Sequence, residues 1–184
     1  YLYKYPQGRF PYEHLITANR ERSKDEGEFE LIDTGSFDED RYFDVFVEYA
    51  KADTDDILIK ITAENRGPDD AQIHVLPTAW FRNKWVWNGS DPDRGMWSTR
   101  KGVIEMECGP LGKRFLHCEG AGELLFTENE TNNERLFGTA NRTAYVKDGI
   151  NDHVVGGRPD TVNPNRTGTK ASAHYIMEVA AGDS

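Results

Sequence analysis

Two runs with a period of two restrict this chain more than anything else in it. Phe43-Asp44-Val45-Phe46-Val47-Glu48-Tyr49 is rich in aromatic and β-branched residues, Ile57-Leu58-Ile59-Lys60-Ile61-Thr62 alternates around Lys60, and the polar stretch Asp53 to Asp56 lies between them. Successive side chains of a strand point to opposite faces, and residues of these types fit a pleated surface, so both runs are expected as strands joined by a turn. Glu28-Phe29-Glu30-Leu31 alternates in the same way and predicts another strand. Asn65-Arg66-Gly67-Pro68 breaks the chain before a further strand at Gln72 to Leu76.

Ahead of these, Tyr1, Tyr3 and Tyr5 alternate and predict an extended strand up to Pro6. Pro11 suits a first helical position, and Tyr12 to Asp25 sets Leu15, Ile16 and Asn19 on one side, so a short surface helix ending at Gly27 is expected. The strand rhythm resumes at Val103 to Glu107, Arg114 to Cys118, Leu124 to Thr127 and Ser172 to Val179. Between them, residues 128–170 form a long stretch rich in Asn, Gly, Thr and Arg, of the length that usually serves function or docks on a partner. Roughly eight to ten strands with few helices predict an all-β fold of two packed antiparallel sheets, a β-sandwich.

At 184 residues one domain is the default, spanning 1–184. The chain starts at Tyr1 without Met and its last periodic segment runs into Gly182-Asp183-Ser184, so both ends read as cuts. A net charge of −10 repels phosphate backbones and anionic lipid, which argues against nucleic acid and membrane as partners. No apolar run approaches the roughly 20 residues that span a bilayer. Cys108 and Cys118 flank Gly109-Pro110-Leu111-Gly112, the expected turn of a hairpin pairing Cys108 with Lys113 and Cys118 with Val103. That register keeps the sulfurs apart, and two free thiols fit a reducing, cytoplasmic setting. The sequons at Asn88, Asn129, Asn141 and Asn165 are taken as chance in an Asn-rich chain.

Two local features could carry chemistry. Trp80, Trp85, Trp87 and Trp97 are interleaved with Arg82, Asn83, Lys84 and Asn88. Indoles stack on sugar rings while Arg and Asn bond hydroxyls, yet the same residues anchor interdomain contacts or fill a core, and all three readings stay open. The second feature, Glu128-Asn129-Glu130-Thr131-Asn132-Asn133-Glu134, gathers three carboxylates just after a strand. Glycoside hydrolysis needs two carboxylates about 5 to 10 Å apart on opposite sides of a bond, which one loop does not supply, so a solvated loop or an interface strip is the expectation. The five histidines have no paired ligand spacing, and the acids Asp33, Asp38, Glu39 and Asp40 do not follow an EF-hand, so neither a metal nor any other cofactor is implied.

The segments YLYKYPQGRFPYEHL (1–15), FELIDTGSFDEDRYFDVFVEYAK (29–51), HVLPTAWFRNKWVW (74–87), LLFTENETNNERLFG (124–138), YVKDGINDHVV (145–155) and NPNRTGTKASAHY (163–175) resemble bacterial glucosidase-like proteins. These are similar to glycoside hydrolase family sixty-three, which includes mannosyl-oligosaccharide glucosidase, and to glucosyl- and mannosylglycerate hydrolases. The resemblance implies a supersandwich-like N-terminal β-domain ahead of a C-terminal (α/α)₆ barrel that carries the catalytic carboxylates of an inverting α-glycosidase. It therefore implies no catalytic residue in this chain. It gives the chain the role of bracing its own absent barrel and walling the substrate cleft. Trp80, Arg82, Asn83, Trp85, Trp87, Glu128, Asn129, Glu130 and Asn132 are the residues best matched to that role. The alternatives are a free-standing carbohydrate-binding module with Trp85 and Trp87 as its platform, and a small sandwich enzyme using Glu128 and Glu130.

Overall fold

The computed structural model describes residues 1–89, 94–107 and 109–184, with only the backbone of Asn88 and Pro110. It is mostly β, with three antiparallel sheets and few helices, and it divides into two compact units: residues 1–73 with 177–184, and residues 74–176. Among the described residues no helix is long and apolar enough to cross a membrane.

The first unit is built on a sheet ordered β1-β2-β3, from Leu2–Pro6, Tyr42–Asp53 and Asp56–Asn65. Directly opposed residues of an antiparallel pair share a face, so the register sorts the side chains. Tyr3 faces Val45, Val45 faces Ala63, Tyr49 faces Ile59 and Lys51 faces Ile57, which makes one face apolar almost to the hairpin tip. The other face collects the charges: Lys4 bonds Asp44 at 2.7 Å, Arg66 bonds it at 2.8 Å, and Glu48 faces Lys60. Asp44 is buried, and the Lys4 ammonium, with Arg66, holds its carboxyl below the usual range. Its charged form is thus favoured against the cost of burial.

At the inner end of β3 the buried Asn65 side chain ties three segments together. Its amide donates to the carbonyls of Asp69 at 2.8 Å and Val179 at 2.9 Å, and its oxygen accepts from Gln7 at 2.6 Å and the Gly67 N–H at 2.9 Å. The expected turn at 65–68 is therefore present as the anchor of the chain's two ends.

Helix α1, Tyr12–Glu21, follows Pro11 as expected but stops short of Asp25. The expected strand at Glu28–Leu31 is absent. Asn19 captures that segment, donating to the Phe29 carbonyl and accepting from the Phe29 N–H, both at 2.8 Å, while Leu31–Thr34 winds into a 3-10 turn. A side-chain amide thus supplies both bonds that a neighbouring strand would have given, and the alternation has no sheet to join.

The second unit holds two sheets. β4 (Ala71–Val75) leads into it; β5 (Thr78–Trp80), helix α2 (Trp85–Asn88), β6 (Gly95–Trp97), β7 (Val103–Glu107), β8 (Lys113–His117) and β9 (Glu123–Thr127) follow. Helices α3 (Asn133–Phe137) and α4 (Gly149–Val154), then β10 (Thr167–Gly168) and β11 (Lys170–Val179), complete it. One sheet is ordered β10-β6-β7-β8; in the other β11 lies between β5 and β9. A single core draws on both sheets, Met96 and Ile104 from the first and Leu124, Phe126, Ala171 and Ala173 from the second, with Phe81 and Trp85 beside them.

Two expectations change here. Glu107 faces Lys113 and Val103 faces His117, one residue out of the expected register. The turn at Gly109–Leu111 is a 3-10 turn closed by a Gly112 to Gly109 bond at 2.9 Å, so the connection is longer than four residues and Cys118 falls beyond the ladder. Cys108 lies outside the described residues, and with it the expected pairing to Lys113. Cys118 is free and buried in the core, where burial pushes its thiol up and keeps it protonated and inert.

The long stretch 128–170 is also more structured than its composition suggests. Ile150, Val162 and Val154 pack with Leu125 of β9 and Leu76 into a small core of their own. Contact there is so close that a Cβ on Gly149 would lie 2.2 Å from the Thr161 carbonyl, and one on Gly168 would lie 2.3 Å from that of Thr127.

Candidate functional site

The two segments singled out in the sequence meet in the second unit. Asn83, just before α2, donates to the Asn129 carbonyl at 2.8 Å, and the Asn129 side chain donates back to the Phe81 carbonyl at 2.9 Å. This reciprocal pair of amides joins the tryptophan stretch to the loop after β9. A third bond seals it: the Trp85 indole N–H donates to Glu130 at 2.8 Å, with both residues buried at 4% and 6% exposure. Arg142 stands 3.6 Å from the same carboxylate oxygen, which compensates a charge that burial would otherwise penalise.

Thr169, at the head of β11, organises the loop backbone. Its hydroxyl donates to Glu128 at 2.5 Å and accepts from the Asn129 N–H at 2.8 Å, while its carbonyl accepts from the Phe81 N–H at 2.9 Å. Beside it, Lys170 donates to the Lys147 carbonyl at 2.7 Å, and burial lowers its ammonium below the ordinary lysine value. Glu128 and Glu130 are both engaged in holding the loop. Asn132 caps α3 by accepting from the Arg135 N–H at 3.0 Å and donates to Asp148 at 3.2 Å.

The tryptophans separate into two groups. Trp80, on β5, and Trp87, on α2, are 60% and 73% exposed, with Arg82 exposed between them in sequence. Trp85 is a core residue, its indole closed off and its N–H spent on Glu130, so it offers no ring face to a ligand and the expected Trp85–Trp87 stacking platform is corrected accordingly. The helix explains the split: on α2, Trp85 and Trp87 point in different directions two residues apart. Trp97, on β6, is half-buried. Two of the sequon asparagines have their side chains engaged within the protein: Asn129 donates to the Phe81 carbonyl, and Asn141 accepts from the Asn133 N–H at 2.7 Å and donates to Asn132 at 3.1 Å.

Sequence reasoning missed Thr169, Arg142 and Asp148, which stand far along the chain from their partners and have no spacing signal. It also missed a histidine pair. His74 on β4 and His174 on β11, a hundred residues apart, stack with a ring nitrogen of each 2.8 Å apart. His174 faces Glu123 across the ladder, and Glu123 reaches His153 at 3.4 Å. Among the described residues no group of three or more His, Cys, Asp or Glu is arranged to hold a metal ion.

No family model matches the chain, and no solved structure matches it. It is similar to the uncharacterized protein YMR196W of Saccharomyces cerevisiae, 31% identical over an alignment of 210 residues that takes in 95% of the chain. The chain spans only 19% of that protein's length.

Proposed function

We propose that this chain is the non-catalytic N-terminal β-sandwich of a longer α-glucosidase-like glycoside hydrolase, bracing the catalytic (α/α)₆ barrel and walling one side of its substrate cleft. The observation that carries this reading is the amide and indole clamp at Asn83, Asn129, Trp85 and Glu130. It spends the loop's polar groups internally and leaves Trp80, Arg82 and Trp87 facing outward on a rigid base, the residue types that anchor interfaces. In this reading the two sheets that share the core of residues 74–176 are the leaves of the sandwich.

Two further observations support it. The relative YMR196W is several times longer than the chain, leaving room for a barrel in a protein of that kind. The first unit also carries an apolar sheet face, with Tyr1, Tyr3, Tyr49, Ile57 and Ile59 exposed and the charges kept to the opposite face. Its occupant in this reading is the apolar side of the barrel's outer helices.

The test is hydrolysis of α-glucosides by the 184-residue chain alone and by the full-length protein that contains it. The chain alone is expected to release no glucose, and the full-length protein to turn over and to lose activity on Trp87→Ala. Turnover by the chain alone, or an inactive full-length protein across α-glucosides, would overturn the reading.

A further inference from the structure

The sheet of the first unit has an open edge along β3, and the backbone shows which groups lie on it. Asn65 donates its N–H to the Asp183 carbonyl at 2.9 Å and accepts from the Gly182 N–H at 3.0 Å, both on the side of β3 away from β2. One residue on, the Arg66 N–H turns back to the Tyr42 carbonyl of β2 at 3.0 Å. Backbone groups of an antiparallel strand alternate in this way, so Ile57, Ile59, Ile61 and Ala63 present their N–H and C=O outward as Asn65 does. Among the described residues β3 pairs with β2 alone, and no backbone group meets these four on the outer side. The first strand reaches along β2 only as far as Val47, so beyond it the sheet narrows to a two-stranded ribbon in which every residue from 48 to 60 is exposed. Such a ribbon is marginal in water until a further strand joins it.

We infer that β3 is a dimer edge: a second copy of the chain adds its own β3 antiparallel, across a two-fold axis at Ile59, and the two three-stranded sheets become one. The inference stands on the edge's own geometry and does not depend on the glycosidase reading.

The residues of the strand select a second copy as the occupant and set its register. A two-fold perpendicular to the sheet keeps each face with its like, so the axis passes through a residue. Centred on Ile59, it sets Ile59 against Ile59 and Ile57 against Ile61 of the second copy, each pair closing both backbone bonds. Three isoleucines from each copy then meet on the apolar face, where Ile57 and Ile59 are now exposed. On the other face Leu58 lies against the aliphatic stem of Lys60, and Asp56 falls diagonal to the same lysine, a favourable pairing of opposite charges.

The adjacent registers fail on named residues. Centred on Lys60, the axis opposes lysine to lysine and Asp56 to Glu64, both like-charge pairs. Centred on Ile61, it opposes Ile57 to Asn65, whose outward groups Asp183 and Gly182 already hold. The opposite edge of the sheet, β1, has 5 residues against the 10 of β3 and ends in Pro6, which has no N–H to give. Pairing β3 with itself therefore makes the longer ladder, and it closes as a dimer where a β1–β3 joint would run on as a fibre.

The experiment is sedimentation of the full-length protein that contains the chain, and of the 184-residue chain, between about 1 and 100 µM. Both are expected to reach a dimer and no larger species. Ile59→Pro removes an outward N–H that β2 does not use, so it should weaken the dimer at least about tenfold with the circular dichroism unchanged. Register is read independently by oxidising mixtures: Leu58→Cys and Lys60→Cys copies should form a mixed disulfide, well above the parent protein, whose own Cys108 and Cys118 set the background. That readout decides even where Ile59→Pro disturbs the fold. A monomeric full-length protein would overturn the inference, because the rest of its chain then covers the edge. So would open-ended assemblies, a disulfide of Lys60→Cys with itself in place of the mixed one, or a dimer of unchanged affinity in a folded Ile59→Pro variant.

Discussion

Asn65 shows how much one side chain can hold. It makes four hydrogen bonds out of contact with water, to segments that begin and end the first unit, and no smaller residue can satisfy the groups it leaves. Asn65→Ala is expected to destabilise the fold by about 3 kcal/mol or more, because several buried partners lose their bonds at once. Urea unfolding followed by circular dichroism measures this; a loss under about 1 kcal/mol would mean that water replaces the amide. His174 makes a prediction in pH. Burial first, and then His74 beside it, lowers its pKa from the ordinary 6.5, with His153 acting the same way and Glu123 opposing. The unfolded state then binds the proton more readily than the folded one. The contribution to stability is present above about 6.5 and is lost as pH falls through the lowered folded value. Urea midpoints should decline on that acid limb, and His174→Gln should flatten the decline.

Among elements, the long strands were legible because residue type and alternation agree over many positions: β2 and β3 follow directly from Phe43–Tyr49 and Ile57–Thr62. Glu28–Leu31 carries the same alternation over four residues and is no strand, since Asn19 supplies its backbone partners. Asn19→Ala should release the segment, seen as faster amide exchange at Phe29 while β2 and β3 keep their protection. β5, β6 and β10 are too short for any period to appear, and they exist because longer neighbours pair with them. The candidate site was legible in its residues and not in its wiring: the tryptophan and acid segments stood out, whereas nothing in the chain ties Trp85 to Glu130. Stretch 128–170 lacked periodicity because polar side chains and close backbone contacts hold it. Gly149→Ala places a methyl against the Thr161 carbonyl and is expected to cost about 2–4 kcal/mol, read as a lowered denaturation midpoint.

For the molecule as a whole, the contrast between a net charge of −10 and one nearly uncharged sheet face sets its behaviour in solution. Freed of any partner, that face should bind an amphiphilic dye such as ANS. Tyr3→Lys with Ile59→Lys should suppress the signal and leave the circular dichroism unchanged, whereas full dye binding by the double variant would place the apolar surface elsewhere. The division of the tryptophans has a consequence of its own. Trp85, sealed and hydrogen-bonded, is shielded from quenchers dissolved in the medium, while Trp80 and Trp87 lie open to them. Among its four tryptophans the protein thus carries one sealed indole and an exposed pair, with the half-buried Trp97 between them in exposure. Acrylamide will darken the outer pair first, and whatever settles over that surface will announce itself by restoring their light.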